Sequence, residues 1–130
     1  MTGIDTNILV RFFAQDDPDQ CRRADEFLRS LSPMSPGFLS LVSIAELAWV
    51  LRSRYGIRKP QFIKYVEMLL NSSELILESQ DSVAQALHHF TFEKADFADC
   101  LIERAGYLAG CNDTVTFDEG ASKLVGMKLI

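Results

Sequence analysis

Short apolar stretches with strand character alternate with helical segments of ten or more residues along nearly the whole chain. Strands separated by whole helices cannot form hairpins. They pair in parallel through right-handed crossovers, which lay helices on both faces of the sheet. The pattern therefore predicts an α/β protein: a three-layer α/β/α sandwich on a central, mostly parallel sheet of about five strands. The first strand is expected at Thr2 to Asp5, with a brief helix over Asn7 to Phe13. Pro18 suits the first turn of a helix running to about Leu31, with Cys21, Ala24, Phe27, Leu28 and Leu31 as its inward stripe. Strands are expected at Phe38 to Val42, Glu74 to Glu78, Thr114 to Phe117 and Met127 to Ile130. Helices are expected at Ser43 to Tyr55 with Gly56 as the stop, Pro60 to about Leu70, Ser79 to Phe90, Asp96 to Gly110 and, briefly, Glu119 to Leu124.

At 130 residues the chain is one domain's worth, and no linker, repeat or low-complexity tract divides it, so residues 1–130 are expected to form a single domain. No apolar run approaches the roughly 18 residues of a membrane helix. No basic segment precedes an apolar run at the N-terminus, which argues against a secretory leader. Three cysteines, Cys21, Cys100 and Cys111, form no C-x-x-C pair and suit reduced thiols, so a cytoplasmic setting is expected. A net charge of −5 argues against a protein that coats nucleic acid by charge alone, and leaves room for an enzyme that touches nucleic acid over a small surface.

In a parallel α/β sheet, sites form outside the carboxyl ends of the strands. Five acids fall there. Asp5 ends the first strand, Glu46 lies in the first turn after the second, Asp96 and Asp99 begin the long helix before the fourth, and Asp118 ends the fourth. Asn7, Thr6 and Thr116 add short polar groups at the same edge. Each acid alone also suits a helix N-terminus: Ser43 with Glu46 has capping-box spacing, and Asp96 with Asp99 repeats it. Taken together, carboxylates at one edge repel, at about 1 kcal/mol for a pair 4 Å apart in water and about 4 at an effective dielectric of 20. Cations between them relieve that repulsion, and oxygen-only donors select Mg²⁺ or Mn²⁺ over zinc. Such ions supply what phosphodiester hydrolysis needs without a histidine base. His88 and His89 read as solvent-facing at a helix end, and Cys100 as a small core residue.

Four segments carry a resemblance. Ile4-Asp5-Thr6-Asn7-Ile8-Leu9, Ser43-x-x-Glu46-Leu47-x-Trp49-Val50-Leu51, Ala95-Asp96-Phe97-Ala98-Asp99-Cys100-Leu101-Ile102 and Thr116-Phe117-Asp118 resemble the PIN-domain family, and within it the VapC-type toxins of bacterial toxin–antitoxin pairs. The resemblance implies an α/β/α fold with an acidic pocket that binds Mg²⁺ or Mn²⁺ and hydrolyses RNA. It matches Asp5, Glu46 and Asp99 to the core metal-binding acids, Asp118 to the more variable fourth, and Asp96 to an acid near the pocket. Asn7 and Thr116 match residues that orient the carboxylates, and Glu119 stands where a basic residue is frequent. A homodimer and an antitoxin partner whose tail crosses the pocket are implied as well.

Between Leu47 and Val66 lie Arg52, Arg54, Arg58, Lys59 and Lys64 and no acid. This segment suits a phosphate backbone, an acidic partner or a plain solvated surface. Arg11 is a separate cationic candidate near the pocket, while Trp49, Tyr55, Phe62 and Tyr65 read mostly as core by spacing, with a subunit interface as the alternative place for some of them. Two other functions stay open on the residues: a Mg-dependent phosphotransfer protein with an aspartyl phosphoacceptor, and a module that binds RNA or an antitoxin without cutting. Asp5-Thr6-Asn7 is not the D-x-D start of a phosphatase, and intact acids disfavour a binding-only module.

Overall fold

The computed structural model describes residues 1–130. Two compact units make up the chain, Met1–Glu78 and Ser79–Ile130. The first opens with β1 (Thr2–Gly3), α1 (Thr6–Ala14) and α2 (Pro18–Ser30), continues with β2 (Gly37–Leu39), α3 (Leu41–Trp49), a π-helical turn (Val50–Arg54) and α4 (Lys59–Asn71), and ends in β3 (Leu75–Leu77). β1, β2 and β3 pair in parallel in that order, with Gly3 opposite Phe38 and Leu39 opposite Leu77. α1 packs on α2 and α3, and α4 packs on β3. The core of this unit is apolar: Leu9, Leu39, Leu51 and Phe62 are all fully buried.

The second unit contains α5 (Gln80–Phe92), α6 (Phe97–Leu108), β4 (Thr114–Thr116), a 3₁₀ turn (Ala121–Lys123) and β5 (Met127–Leu129). α5 and α6 pack along their length, and β4 pairs in parallel with β5. Val83, Ala86, Cys100 and Leu101 close the helix interface. The chain is thus mixed α/β with six α-helices and wholly parallel strands, as the alternation predicts. The five strands divide into a three-strand and a two-strand ladder rather than one continuous sheet. Each is at most three residues long, so a ladder rests on only a few backbone hydrogen bonds.

The punctuating residues act where the sequence places them. Pro18 and Pro60 occupy the first turns of α2 and α4, where a missing N–H costs nothing. Gly56 takes a left-handed φ of 61° just past the π-helical turn, a conformation that glycine adopts freely. Several boundaries shift from expectation: β1 stops at Gly3 rather than Asp5, the short helix after β4 is a 3₁₀ turn, and the second strand moves most. The second strand ends at Leu39 instead of running to Val42, and α3 begins at Leu41. β2 stops where its partner stops: Glu78 N–H donates to the Leu39 carbonyl at 2.8 Å as the last link of the ladder. Ser40 then caps the helix, its hydroxyl accepting the Ser43 N–H at 3.1 Å. Trp49, expected in the core, is 60% exposed, on the solvent side of α3. No helix is long and apolar enough to cross a membrane.

Candidate active site

In the first unit the acids of interest are Asp5 and Glu46. Asp5 holds the N-cap position of α1 yet makes no side-chain cap bond. Its carboxylate is exposed and instead accepts from Asn7, whose Nδ2 donates to Oδ2 at 3.3 Å. The contrast within the same unit is Asp17, which caps α2 by accepting the Gln20 N–H at 3.0 Å. Glu46 is exposed on α3. The expected capping box of Ser43 and Glu46 does not form, because Ser40 is the N-cap and Ser43 is the third helical residue. Glu46 is therefore the sixth, beyond the reach of a capping-box side chain to the N-cap N–H. Neither Asp5 nor Glu46 stands where it does in order to cap a helix.

Arg11, one helical turn beyond Asn7, is committed to a network. Its Nη1 donates to both oxygens of Asp16, at 2.9 and 3.0 Å, and to the Tyr55 hydroxyl at 3.1 Å, while Nε donates to Gln20 at 2.6 Å. The Tyr55 hydroxyl donates to Asp16 Oδ2 at 2.7 Å. Together these ties join α1, the start of α2 and the end of the π-helical turn. Arg11 also lines, with Asn7, Gln20 and Arg23, a cleft of about 500 Å³ between α1 and α2.

In the second unit the acids are Asp96, Asp99 and Asp118. Asp96 stands at the N-cap of α6 without a side-chain cap bond, and Asp99 lies in that helix's first turn. Asp118 follows β4. Its own N–H donates to Thr116 Oγ1 at 3.0 Å, and its Oδ1 accepts the Ala121 N–H at 3.0 Å, which ties the carboxylate to the start of the 3₁₀ turn. Asp99 is half-buried, and its carboxyl is pushed above the usual carboxylate range, first by burial and then by the negative charges of Asp96 and Asp118. These three acids therefore share one electrostatic neighbourhood.

The donor chemistry fits a hard divalent cation. Every candidate ligand is a carboxylate oxygen, and the charge gathered around Asp99 is what such a cation offsets. Within neither unit do three His, Cys, Asp or Glu side chains close together into a metal shell of their own. The remaining candidates behave as the residue types suggest. Cys100 is fully buried beside Leu101, and Cys21 is buried under α1, its Sγ 3.0 Å from the Arg11 carbonyl. His88 is exposed and His89 half-buried near the end of α5.

The family model of the PIN domain matches residues 4–126. The match spans both units and all four acidic segments. No curated protein matches the chain.

Proposed function

The chain belongs to the PIN-domain family, and on that premise we propose that it is a divalent-metal-dependent endoribonuclease, the toxin of a type II toxin–antitoxin pair. PIN domains are generally nucleases, so the fold is a nuclease fold and its substrate a nucleic acid. Residues 1–130 act as one domain in this reading, since a single family model spans both units. Asp5, Glu46, Asp99 and Asp118 would hold Mg²⁺ or Mn²⁺, with Asp96 adding charge nearby. Bound there, the metal supplies an activated water and neutralises the phosphate and the leaving oxygen.

The chain's own residues do the positioning. Asn7 orients the Asp5 carboxylate through its amide donor. Thr116 holds the backbone of Asp118, and the Ala121 N–H fixes one oxygen of that carboxylate and leaves the other free. The first turn of α6 presents Asp99 at a helix N-terminus, where the helix dipole favours its ionised form against the pull of burial and like charge. Substrate phosphate brings further negative charge to an already acidic place.

The observation that carries the reading is the match of the PIN-domain family model to residues 4–126, which takes in all four acidic segments. The four-segment resemblance to VapC-type toxins supports the toxin role, a homodimer and a cognate antitoxin as partner. The test is sequencing of RNA ends after induced expression, beside an Asp5→Ala control. New RNA ends with the wild-type protein and none with the variant are expected. Equal end profiles for the two would overturn the ribonuclease reading.

A further inference from the structure

Glu103 is a buried carboxylate on α6, 3% exposed, that stands outside the set of candidate metal-binding acids. It lies four residues past Asp99 and three before Gly106, so all three share one face of that helix. This face meets the β4–β5 ladder. A Cβ at Gly106 would stand 2.6 Å from Thr114 Oγ1, and one at Gly126, the residue before β5, would overlap the Glu103 carboxylate. Gly126 has no left-handed φ, so the closeness of Glu103, not backbone conformation, is what excludes a side chain there. The carboxylate is held by Arg104, whose Nε donates to Oε2 and Nη2 to Oε1. Consecutive helical residues do not face each other, so the Arg104 side chain folds back to reach it. Gln85 of α5 steadies the guanidinium in turn, its Oε1 accepting from Nη1 at 3.3 Å, and the Tyr107 ring lies beneath with its centroid 4.3 Å away.

We propose that Glu103 is a positioning residue: its seat against Gly126 fixes how α6 lies on the β4–β5 ladder and thereby sets where the Asp99 carboxylate stands relative to Asp118. The inference rests on the nuclease reading and deepens it by adding a residue that supports the same site. The route is short. The Gly126 carbonyl accepts the Thr114 N–H at 2.8 Å, β4 is three residues long, and Thr116 Oγ1 accepts the Asp118 N–H at 3.0 Å. Asp99 begins the helix that carries Glu103 and feels the Asp118 charge. Two paired strands of three residues each supply few other constraints on that placement. A buried ion pair contributes little net stability, since apolar residues of similar volume often serve as well or better, and the fixing of register is its best-attested use. Arg104 offsets the Glu103 charge, so the pair acts by placement rather than by adding charge to the acids.

The experiment measures Mn²⁺ binding to the full-length protein by calorimetry, beside urea melts without metal and RNA cleavage over a range of Mn²⁺. Glu103→Leu combined with Arg104→Leu removes the pair together and strands no charge. Val66→Ala opens a cavity in the core of the other unit and serves as the stability control. The double variant should bind Mn²⁺ about tenfold more weakly, as when a group that orients metal ligands is lost. Its cleavage should recover at raised Mn²⁺ with the KM for RNA unchanged. Val66→Ala should lose stability and keep the wild-type Mn²⁺ affinity. Wild-type affinity in the double variant overturns the inference, whatever the melts show. Equal weakening by Val66→Ala makes the effect one of general stability and overturns it too. If the double variant does not fold, Glu103→Gln decides: weaker Mn²⁺ binding supports the seat, and wild-type affinity overturns it. If the wild-type protein binds Mn²⁺ and cleaves RNA while the double variant binds as tightly, the inference alone fails. If the wild-type protein binds Mn²⁺ without cleaving RNA, the nuclease reading fails and the seat stands or falls on affinity. If it binds no Mn²⁺, both fail.

Discussion

The Ser40 hydroxyl accepts the backbone N–H of Ser43 at 3.1 Å, which makes Ser40 the N-cap of α3 and carries Glu46 to the sixth helical position. The two residues thereby separate stability from function on one short helix. Ser40 satisfies an orphan donor at the helix start, and Glu46 is left with no capping duty.

Glu46→Gln should leave stability within about 0.5 kcal/mol, as for a surface substitution. It should also abolish most metal-dependent RNA cleavage, because Gln keeps the shape and loses the charge. Ser40→Ala should cost about 1 kcal/mol and keep most activity. Denaturant melts paired with cleavage assays on both variants check this. Near wild-type cleavage by Glu46→Gln would remove Glu46 from the site.

Metal should stabilise the fold. At a hundredfold excess over the dissociation constant, the gain is about 2.7 kcal/mol. Asp99→Asn should blunt the rise in melting temperature with Mn²⁺. The metal-free protein should also depend on pH through Asp99, whose carboxyl is raised by burial and by Asp96 and Asp118. A raised acid binds its proton more tightly in the folded state than in the unfolded state. Its contribution to stability is therefore fully present below the unfolded carboxylate value and is lost as pH rises through the folded one. Urea melts of wild type and Asp99→Asn across the acid range should differ in slope in that sense.

Asp16 titrates the other way. The Tyr55 hydroxyl, and after it the Arg11 guanidinium, hold its carboxyl below the usual carboxylate range. That stability is present above the unfolded value and is lost as pH falls through the folded one. Tyr55→Phe should lower the denaturation midpoint at neutral pH, and the gap to wild type should close in acid. A gap that persists below the folded value would mean that the hydroxyl acts by some route other than Asp16.

Gly126→Ala should destabilise by about 1–3 kcal/mol, the usual cost of overpacking. A Cβ at Gly126 would overlap the carboxylate of Glu103, which is 3% exposed and paired with Arg104. The Gly126 carbonyl also accepts the Thr114 N–H at 2.8 Å at the start of β4, so the strain reaches the strand that leads to Asp118. Thermal melts check it, and a melting temperature equal to wild type would mean that Glu103 gives way freely.

Much of this protein was legible from local chemistry. Pro18, Pro60 and Gly56 mark helix ends by fixing or freeing φ, and the 3.6-residue spacing of Cys21 and Ala24, or Phe62, Val66 and Leu69, marks buried faces. The order of strands and helices, and the acids placed after the strands, follow from the same periodicities. Three features needed the tertiary structure. The sequence pointed to Ser43 as the cap, and Ser40 takes that place because the ladder ends when β2 reaches the last residue of β3. Trp49 looked like core because a large apolar side chain usually is; only the packing of α3 on α1 decided which side of the helix faces inward. The charge around Asp99 depends on Asp118, nineteen residues further on, and distances across a fold are set by packing rather than by local propensity. Local sequence determines which residues cap, turn and alternate, because those effects act within one helical turn; which carboxylates meet and which aromatic stays in water is decided by long-range burial.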